Sequence, residues 1–411
     1  MRKCFYNFLI CAVVAIMAVS CTAEKKAKYV FYFIGDGMGF SHISLAEGYK
    51  ATVNGKIGNE PLCFTQFPVM GMATSYSANR YITCSSAAGT ALATGSKTNN
   101  GMLGTAPDSS NLTAISYKIH NAGFPVGVTT SVTIDHATPG SFYANSTARS
   151  DYYSIGEQLA VSGFEFFGGG GFYGAKDKRE TEKSLYDIAA ENGYSIAYGI
   201  EEYPKAKETA KAADGSQKMI LFQQKDKRDN DLPYAVERTA DDLTLPQVVE
   251  SAINFLENEK GFFLMVEGGK IDWAAHSNDL AGTVFEVLDF DQAIAVAYEF
   301  YKKHPQETLI VVTADHETGG VTLGRKKGYV YDLSVVKKAS QAVEDKDVSN
   351  YMDDISKDSL SVVAQIGWTT TSHTGGAVPV FAVGAQSQMF AGRQDNTDIP
   401  KKICKAMGVE F

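Results

Sequence analysis

Short hydrophobic runs alternate with amphipathic segments along most of this chain. Runs without polar alternation predict strands that are buried on both faces, as in a parallel sheet covered by helices. Such runs lie at residues 28–34, 124–130, 262–266, 308–313 and 378–383. The pattern therefore predicts an α/β fold with a mostly parallel sheet.

The amphipathic segments predict helices at residues 181–192, 245–258 and about 279–303. Thr244 and Gln247 have the spacing of a capping box at the start of the second helix. The small residues that follow Ser85 predict a further short helix, which is expected to end at Gly95 because glycine readily adopts the conformation that closes a helix.

Two stretches depart from this alternation. Residues 164–260 carry few chemically distinctive side chains and predict mainly helices and loops. Within them, the glycine run 168–171 is interpreted as a surface loop, because no Lys-Ser or Lys-Thr pair follows as in a phosphate-binding loop. The charged run 225–229 is interpreted as solvated surface. Residues 324–368 are charged and lack the repeating pattern, so they are predicted to be an insertion.

The first residues have the features of a targeting segment. Arg2 and Lys3 precede an apolar run at residues 8–19, which is the pattern of a secretory signal peptide. Ser20 before Cys21 also resembles the end of a bacterial lipoprotein signal, in which Cys21 would be lipidated and begin the mature chain. Residues 1–20 are therefore predicted to be a lipoprotein-type signal peptide, with ordinary cleavage nearby as the alternative.

Composition limits what the chain can be. Its 411 residues, 44% of them hydrophobic, can bury a large core as one α/β domain with insertions or as two domains. A net charge of −9 argues against a general nucleic-acid binder, because binding phosphate backbones requires a cationic face. Of the six cysteines, Cys4, Cys11 and Cys21 would be removed with the signal peptide or lipidated, which leaves Cys63, Cys84 and Cys404. These three are odd in number and lack CxxC spacing, so neither a disulfide scaffold nor a cysteine metal site is supported. A single disulfide between two of them is left as an alternative.

The stretch 261–276 carries three potential metal ligands. Glu267 falls at the carboxyl end of the predicted strand, and Asp272 and His276 would share one face of a helix because they are four residues apart. Carboxylate and imidazole together suit a hard or borderline divalent cation. A strand followed by a helix with incidental polar residues is the alternative for this segment alone.

The same layout recurs elsewhere in the chain. Polar side chains follow other predicted strands or lie beside them, namely Asp36, His136 with Thr138, Asp315 with His316, and His373. His136 and Thr138 would point the same way in an extended segment. Open α/β sheets bind ligands at the carboxyl ends of their strands, so these side chains are expected to converge. Ser85, at the start of the predicted short helix, would meet exposed backbone N–H groups that favour a bound phosphate.

Taken together, these segments resemble a bacterial alkaline phosphatase. The match involves FIGDGMG, the serine before the small-residue helix with TGSKTNNG behind it, DHATP, an arginine thirteen residues after His136, MVEGGKIDWAAH, TADHETGG and SHTGG, in the family's order. The resemblance implies a doubly wound, mostly parallel sheet flanked by helices, with a smaller crown-like insertion. Residues 25–411 would form this catalytic domain.

The resemblance also implies two zinc ions and a third metal, usually magnesium. Carried over by position, the first zinc would be held by Asp272, His276 and His373. The second would be held by Asp36, Asp315 and His316. Asp36 would bridge to the magnesium, whose set would be completed by Thr138, Glu267 and His136, the last directly or through water. Imidazole suits zinc and oxygen ligands suit magnesium, so this allocation is chemically consistent.

The resemblance assigns catalytic roles to two further residues. Ser85 would be the nucleophile, activated by the second zinc, and would form a phosphoserine intermediate. Arg149 would hold two non-bridging phosphate oxygens in a bidentate fork. Trp273 lies at a position that is Lys or His elsewhere in the family, so it is placed beside the substrate without contributing a charge.

Two further departures concern the same site. Cys84 stands where the best-known members have an aspartate that helps to orient the arginine, so Arg149 is expected to be less firmly held here. His136 stands where some members have aspartate, which is expected to weaken the preference of the third site for magnesium and to let zinc compete.

The predicted function is an exported alkaline phosphatase of the periplasm or cell envelope that hydrolyses small phosphate monoesters. Alternatives are a phosphodiesterase or sulfatase of the same superfamily, and a zinc-dependent protein that binds phosphorylated ligands without turnover. The intact Ser85 argues against the last. No specific nucleic-acid partner is expected, a membrane would be contacted only through lipid on Cys21, and a homodimer is left open.

Overall fold

A ten-stranded sheet organises the computed structural model. Across the sheet, its strands are in order Gly392–Asp395, Val69–Thr74, Val378–Gly384, Thr308–Ala314, Tyr29–Gly35, Phe262–Gly268, Val126–Thr130, Phe166–Gly169, Met219–Phe222 and Ser195–Tyr198. The structure describes residues 25–175, 183–210, 217–225, 230–337 and 357–411. The predicted signal peptide and Cys21 lie outside these residues. No helix among the described residues is both long enough and apolar enough to cross a membrane.

The strands are β1 (Tyr29–Gly35), β2 (Val69–Thr74), β3 (Val126–Thr130), β4 (Phe166–Gly169), β5 (Ser195–Tyr198), β6 (Met219–Phe222), β7 (Phe262–Gly268), β8 (Thr308–Ala314), β9 (Glu317–Thr318), β10 (Val321–Leu323), β11 (Ile366–Trp368), β12 (His373–Thr374), β13 (Val378–Gly384) and β14 (Gly392–Asp395). The helices are α1 (Phe40–Val53), α2 (Ser85–Thr94), α3 (Ile115–Asn121), α4 (Ala137–Gly140), α5 (Tyr152–Val161), α6 (Leu185–Glu191), α7 (Tyr203–Thr209), α8 (Leu245–Leu256), α9 (Lys270–His276), α10 (Leu280–Lys303), α11 (Lys357–Ala364) and α12 (Asp398–Met407). Short 3₁₀ turns occupy Phe64–Gln66 and Ser387–Phe390.

The central strands run parallel, as the continuous hydrophobic runs predict. Strand β1 pairs in parallel with both β7 and β8, and β7 also pairs in parallel with β3. Strand β13 is antiparallel to its two neighbours, β8 and β2. The carboxyl ends of β1, β3, β7 and β8 therefore meet at one edge of the sheet, and the predicted mostly parallel α/β fold is confirmed.

Helices cover both faces of this sheet. Phe31 and Phe33 of β1 point to one face, where they meet rings of α10, with Phe33 and Phe290 centred 5.8 Å apart. Tyr32 points to the other face, where its ring packs against Phe142 and its hydroxyl donates to the carbonyl of Leu92 in α2. Alternate side chains of a strand face opposite sides, so a strand covered by helices on both sides needs an unbroken apolar sequence.

The interpretation of residues 164–260 was wrong in two respects. This stretch supplies three strands of the large sheet, β4, β6 and β5, rather than only helices and loops. The glycine run 168–171 is buried and begins inside β4, so it is not a surface loop. Gly168 allows close packing, since a Cβ there would lie 2.6 Å from Cγ1 of Val248 in α8. Of the charged run, residues 226–229 lie outside the described part, and Lys225 is exposed.

The predicted helices are present with shorter ends. Helix α8 begins with the predicted capping box, in which Thr244 Oγ1 accepts from the backbone of Gln247 and the side chain of Gln247 accepts from Thr244 N–H. Helix α2 spans Ser85–Thr94 and is closed by Gly95 with φ of 68°. Helix α6, Leu185–Glu191, lies within the predicted helix 181–192, of which residues 181 and 182 lie outside the described part.

The predicted insertion, residues 324–368, emerges between β10 and β11, which pair with each other. Its described residues Leu333, Val336, Leu360 and Ala364 belong to a second apolar cluster with Leu45 of α1 and Val284 of α10. Residues 338–356 lie outside the described part of the chain, so the extent of the insertion stays a prediction.

Candidate active site

The predicted ligands gather at the carboxyl edge of the central strands. Asp36 follows β1, Glu267 is the penultimate residue of β7, and Asp315 follows β8. All three side chains are fully buried. Their strands are neighbours in parallel register, which brings carboxylates that are distant in sequence to one place.

A first cluster contains Asp272, His276 and His373. His276 Nε2 lies 3.4 Å from Asp272 Oδ1 and 3.0 Å from His373 Nε2, and His373 Nε2 lies 3.7 Å from the same carboxylate oxygen. Asp272 and His276 share one face of α9, as predicted. The Nδ1 atoms of the two histidines face the carbonyls of Thr371 and Thr83, at 2.7 and 2.9 Å. Carbonyls only accept, so each Nδ1 carries a proton and the two Nε2 lone pairs face one another, an arrangement that a cation stabilises.

A second cluster contains Asp36, Asp315 and His316. His316 Nε2 lies 3.4 Å from Asp36 Oδ1 and 3.1 Å from Asp315 Oδ2, and all three side chains are fully buried. His316 also lies close to the first cluster, since its ring stacks on that of His373 with the centroids 3.6 Å apart. The two clusters are therefore adjacent, as a two-metal site requires.

A third cluster contains Asp36, His136 and Glu267, whose ligand atoms lie within 4.8 Å of one another. Thr138 Oγ1 lies 3.5 Å from Asp36 Oδ2, which brings the predicted fourth member to the same place. The sequence expectation of an extended segment at His136 and Thr138 was wrong, because α4 begins directly after His136. Thr130, which the sequence did not single out, donates its hydroxyl proton to Glu267.

The charge balance of these clusters favours divalent cations. Burial, followed by the neighbouring carboxylates, raises the pKa of Asp36 well above its usual value, and mainly burial raises the pKa of Asp315 to about 8 and of Glu267 to about 7. Burial lowers the pKa of His136 to about 3. Among the described residues, Asp36 Oδ1, Glu267 Oε1 and Asp315 Oδ2 are buried oxygens with no hydrogen bond. Buried acceptors without partners are costly, so this donor set fits metal ions.

Ser85 lies beside the second cluster. It is the first residue of α2, it is buried, and its Oγ lies 3.3 Å from His316 Nε2. Free backbone N–H groups of the first helical turn lie at this end of the helix, where they and the helix dipole favour an anion. The serine is thus placed beside both the second cluster and an anion-binding helix end.

Arg149 and Trp273 complete the predicted set around His136. Arg149 Nη2 lies 3.2 Å from His136 Nε2, and the ring of Trp273 lies edge-on to the His136 ring with centroids 5.6 Å apart. Cys84, a free thiol like Cys63 and Cys404, caps α2 directly before Ser85. The single disulfide that the sequence left as an alternative is therefore not formed among these three cysteines.

Comparison with known proteins assigns the family. The family model described as alkaline phosphatase matches residues 27–163 and 173–409. The chain belongs to the alkaline phosphatase family. Alkaline phosphatase 3 of Bacillus subtilis is 33% identical over an alignment that covers 93% of this chain and 90% of that one. The alkaline phosphatase of Escherichia coli is 28% identical, with coverages of 94% and 88%.

Solved alkaline phosphatases have the same fold. The enzyme of the Antarctic bacterium TAB5 superposes with a TM-score of 0.76 and 28% identity, covering 94% of this chain and 100% of that one. A variant of that enzyme has been solved with magnesium bound in its M3 site. The prediction of a metal-dependent phosphomonoesterase with this fold is confirmed at the level of the family, whereas the roles of single residues stay predictions.

The geometry also reveals contacts that the family motifs did not suggest. Thr318 Oγ1 lies 2.6 Å from Asp272 Oδ1 and 3.3 Å from His316 Nδ1, and Thr130 contacts Glu267. Threonine hydroxyls are common in strands and loops, so their residue type gives no signal. Thr318 could have been found only through its place in the motif TADHETGG.

Proposed function

We propose that this chain hydrolyses phosphate monoesters through a phosphoserine on Ser85, using two zinc ions and one magnesium ion. The observation that carries the proposal is the position of Ser85 Oγ, 3.3 Å from His316 Nε2 at the junction of the ligand clusters. Neutral imidazole nitrogens beside carboxylates suit zinc, whereas the mainly oxygen set of Asp36, Thr138 and Glu267 suits magnesium. When bound, these cations supply positive charge beside the attacking and departing oxygens.

The protein groups account for the remaining steps. Ser85 Oγ forms a bond to phosphorus while the bond to the ester oxygen breaks on the opposite side of phosphorus, which leaves a phosphoserine that water then hydrolyses. The first turn of α2 and Arg149 bind the phosphoryl oxygens throughout. Trp273, half-buried against His136, excludes water from that side of the site.

Metal content measured beside activity tests the proposal. Chelation should abolish hydrolysis of an aryl phosphate monoester, and zinc with magnesium should restore it better than either ion alone. Acid quenching during turnover should leave a phosphoryl group on the peptide that contains Ser85, detected by mass spectrometry. Full activity in metal-free protein would refute the proposal.

The alternatives from the same superfamily make different predictions. A phosphodiesterase or sulfatase should hydrolyse a diester or a sulfate ester faster than a monoester under the same metal loading. A non-catalytic binder should release no phosphate from any of them. The fork of Arg149 beside the third cluster favours the monoesterase, because a monoester presents more free oxygens to it.

We also propose that the enzyme is exported and anchored through lipid on Cys21. The signal-like segment 1–20 supports this proposal. The parent protein should remain in the membrane fraction, and Cys21→Ser should appear in the soluble fraction with unchanged kcat. A parent protein that is soluble after fractionation would contradict the anchor without affecting the catalytic proposal.

A further inference from the structure

We infer that Thr318 is a positioning residue shared by both zinc sites, so that one hydroxyl sets the ligands of two metal ions. This inference rests on the proposed metal sites and goes beyond them, because Thr318 is itself no ligand. Thr318 forms β9 with Glu317, and it is completely buried directly behind His316.

The hydroxyl of Thr318 contacts one ligand from each site. Its Oγ1 lies 2.6 Å from Asp272 Oδ1, the distance of a hydrogen bond from a hydroxyl to a carboxylate. The hydroxyl proton is therefore donated to Asp272. A lone pair of the same oxygen faces His316 Nδ1 at 3.3 Å. Thr318 can accept there only if Nδ1 carries the imidazole proton, which leaves Nε2 as the metal-binding nitrogen.

This choice of tautomer agrees with the rest of the second cluster. His316 Nε2 is the atom that faces Asp36, Asp315 and Ser85, at 3.4, 3.1 and 3.3 Å. The backbone of Glu317 also forms a hydrogen bond with His316, so loss of the hydroxyl would weaken the preference for a proton on Nδ1 rather than abolish it. A proton that moved to Nε2 would be accepted there by these oxygens. A protonated Nε2 cannot bind a metal ion. The hydroxyl thus holds His316 in the form that a cation needs.

Thr318 also supports the first site through its backbone. Its strand pairs with β12, where it stands opposite His373. On its other side, Thr318 N–H donates to the carbonyl of Gly37 at 3.1 Å. Gly37 has φ of 72°, and a Cβ there would lie 2.9 Å from Thr318 Oγ1 and from Asp272 Cα. The turn after β1 therefore leaves just enough space for the threonine between the two sites.

The variant that isolates the hydroxyl is Thr318→Val, because valine keeps the branched shape. It should weaken binding of both zinc equivalents by about 10- to 100-fold, the usual effect of removing a partner that orients a metal ligand. Thr318→Ser, which restores the hydroxyl, should recover most of the affinity. Thr129→Val is the control, because Thr129 is also buried but its hydroxyl donates to the carbonyl of Met265, away from the ligands.

The measurement is competition for zinc against a chromophoric chelator, with metal content determined after dialysis. Nitrogen NMR of His316 in metal-free protein should show Nδ1 protonated in the parent and a shift toward Nε2–H in Thr318→Val. Equal melting of metal-free Thr318→Val and Thr129→Val would establish that any loss lies in metal binding.

The outcomes separate this inference from the proposed function. If the parent binds two zinc ions and Thr318→Val binds both as tightly, the inference is wrong and the proposed function stands. Weakening of only one equivalent would also overturn it, because the hydroxyl would then serve a single site. If the parent binds no zinc pair, the proposed function itself fails, and this inference fails with it.

Discussion

Arg149 is held at two points, one on its guanidinium and one on its backbone. Its Nη2 contacts His136 Nε2 at 3.2 Å, and its backbone N–H donates to the carbonyl of Gly101 at 2.8 Å. Gly101 in turn donates its N–H to Cys84 Sγ at 3.2 Å. The thiol before the nucleophile is therefore linked to the arginine through the backbone of one glycine. The sequence motifs did not predict this link.

Replacement of Arg149 should reveal the basis of ester selectivity. A monoester offers three non-bridging oxygens, whereas a diester gives one of these positions to a second organic group, so a fork for two oxygens favours the monoester. Well-made charge-assisted hydrogen bonds contribute roughly 1.5–3 kcal/mol each, and about 1.4 kcal/mol corresponds to a tenfold rate. Arg149→Ser should therefore cost monoester hydrolysis at least about tenfold more than diester hydrolysis. Equal losses in kcat/KM for the two substrates would instead favour the diesterase alternative.

The residue at position 84 should control how tightly product phosphate is held. Restoring the carboxylate with Cys84→Asp should give Arg149 a charged partner and tighten inhibition by inorganic phosphate. Cys84→Ala should retain a substantial fraction of turnover, whereas Ser85→Ala should lose nearly all of it, because the proposed nucleophile is the hydroxyl of Ser85 and not the thiol of Cys84. Inhibition constants and kcat for the three variants check this, and unchanged or weaker inhibition in Cys84→Asp would argue against the account.

At the residue scale, the sequence predicted which carboxylates lie together at the edge of the sheet, because their chemistry and their position coincide. Asp36, Glu267 and Asp315 could be predicted because each is a carboxylate at the end of an apolar run. Thr318 and Thr130 could not, because a hydroxyl that orients a ligand looks like any other threonine until its neighbours are known. The positions of the candidate ligands were thus predictable, whereas the hydroxyl groups that contact them were not.

At the scale of elements, the sequence predicted the central strands and missed the outer ones. Strands β1, β7 and β8 have seven residues each and are wholly apolar or nearly so, which gives an unmistakable signal. Strands β4, β5 and β6 have only four residues, and β4 contains glycine. Short strands containing glycine resemble loops in sequence, and only pairing with neighbours reveals them.

The glycine at the end of β4 should be needed for the sheet itself. Gly169 has φ of 152°, and a Cβ there would lie 2.6 Å from the carbonyl oxygen of Thr130 in β3. Gly169→Ala should lower the free energy of unfolding by roughly 1–3 kcal/mol, through the unfavourable backbone and the contact.

Gly55→Ala is the matched control, because Gly55 also has positive φ but no atom lies within 4 Å of its Cβ position. Urea unfolding of both variants in chelator, where metal binding cannot contribute, should show the larger loss for Gly169→Ala. A smaller or equal loss would mean that the end of β4 adjusts to the side chain.

For the whole molecule, the proposed anchor at Cys21 would determine which edge of the sheet faces the membrane. The described chain begins at Lys25 and enters β1 at Tyr29, and Asp36 follows the other end of that strand. Seven residues at about 3.3 Å each separate these ends by roughly 23 Å. An anchor at Cys21 would therefore hold the amino ends of the central strands toward the membrane, and the active site would face outward to dissolved esters.

The metal sites should also control how stability depends on pH. In metal-free protein, the folded carboxyls of Asp315 and Glu267, with pKa values raised by burial to about 8 and about 7, keep protons that the unfolded chain has released. The folded state then binds more protons, so the free energy of unfolding falls as pH rises toward 8. Burial lowers the pKa of His316 and His373, which acts in the opposite sense, but only below the usual histidine pKa of about 6.5.

Between about pH 6.5 and about pH 8, the carboxyls therefore act without opposition from these histidines. Chelated protein should lose stability across this window, as measured by the urea midpoint at each pH. Loaded protein should lose less, because bound cations have already displaced the protons from the ligands. Burial also raises the pKa of Glu286 to about 8, but this residue lies away from the metal clusters. It therefore contributes the same loss of stability to the chelated and the loaded protein, and this contribution cancels when the two are compared. If the urea midpoint changes with pH in the same way with and without metal, these carboxylates do not exchange protons for cations. The assignment of Asp315 and Glu267 as ligands would then be wrong.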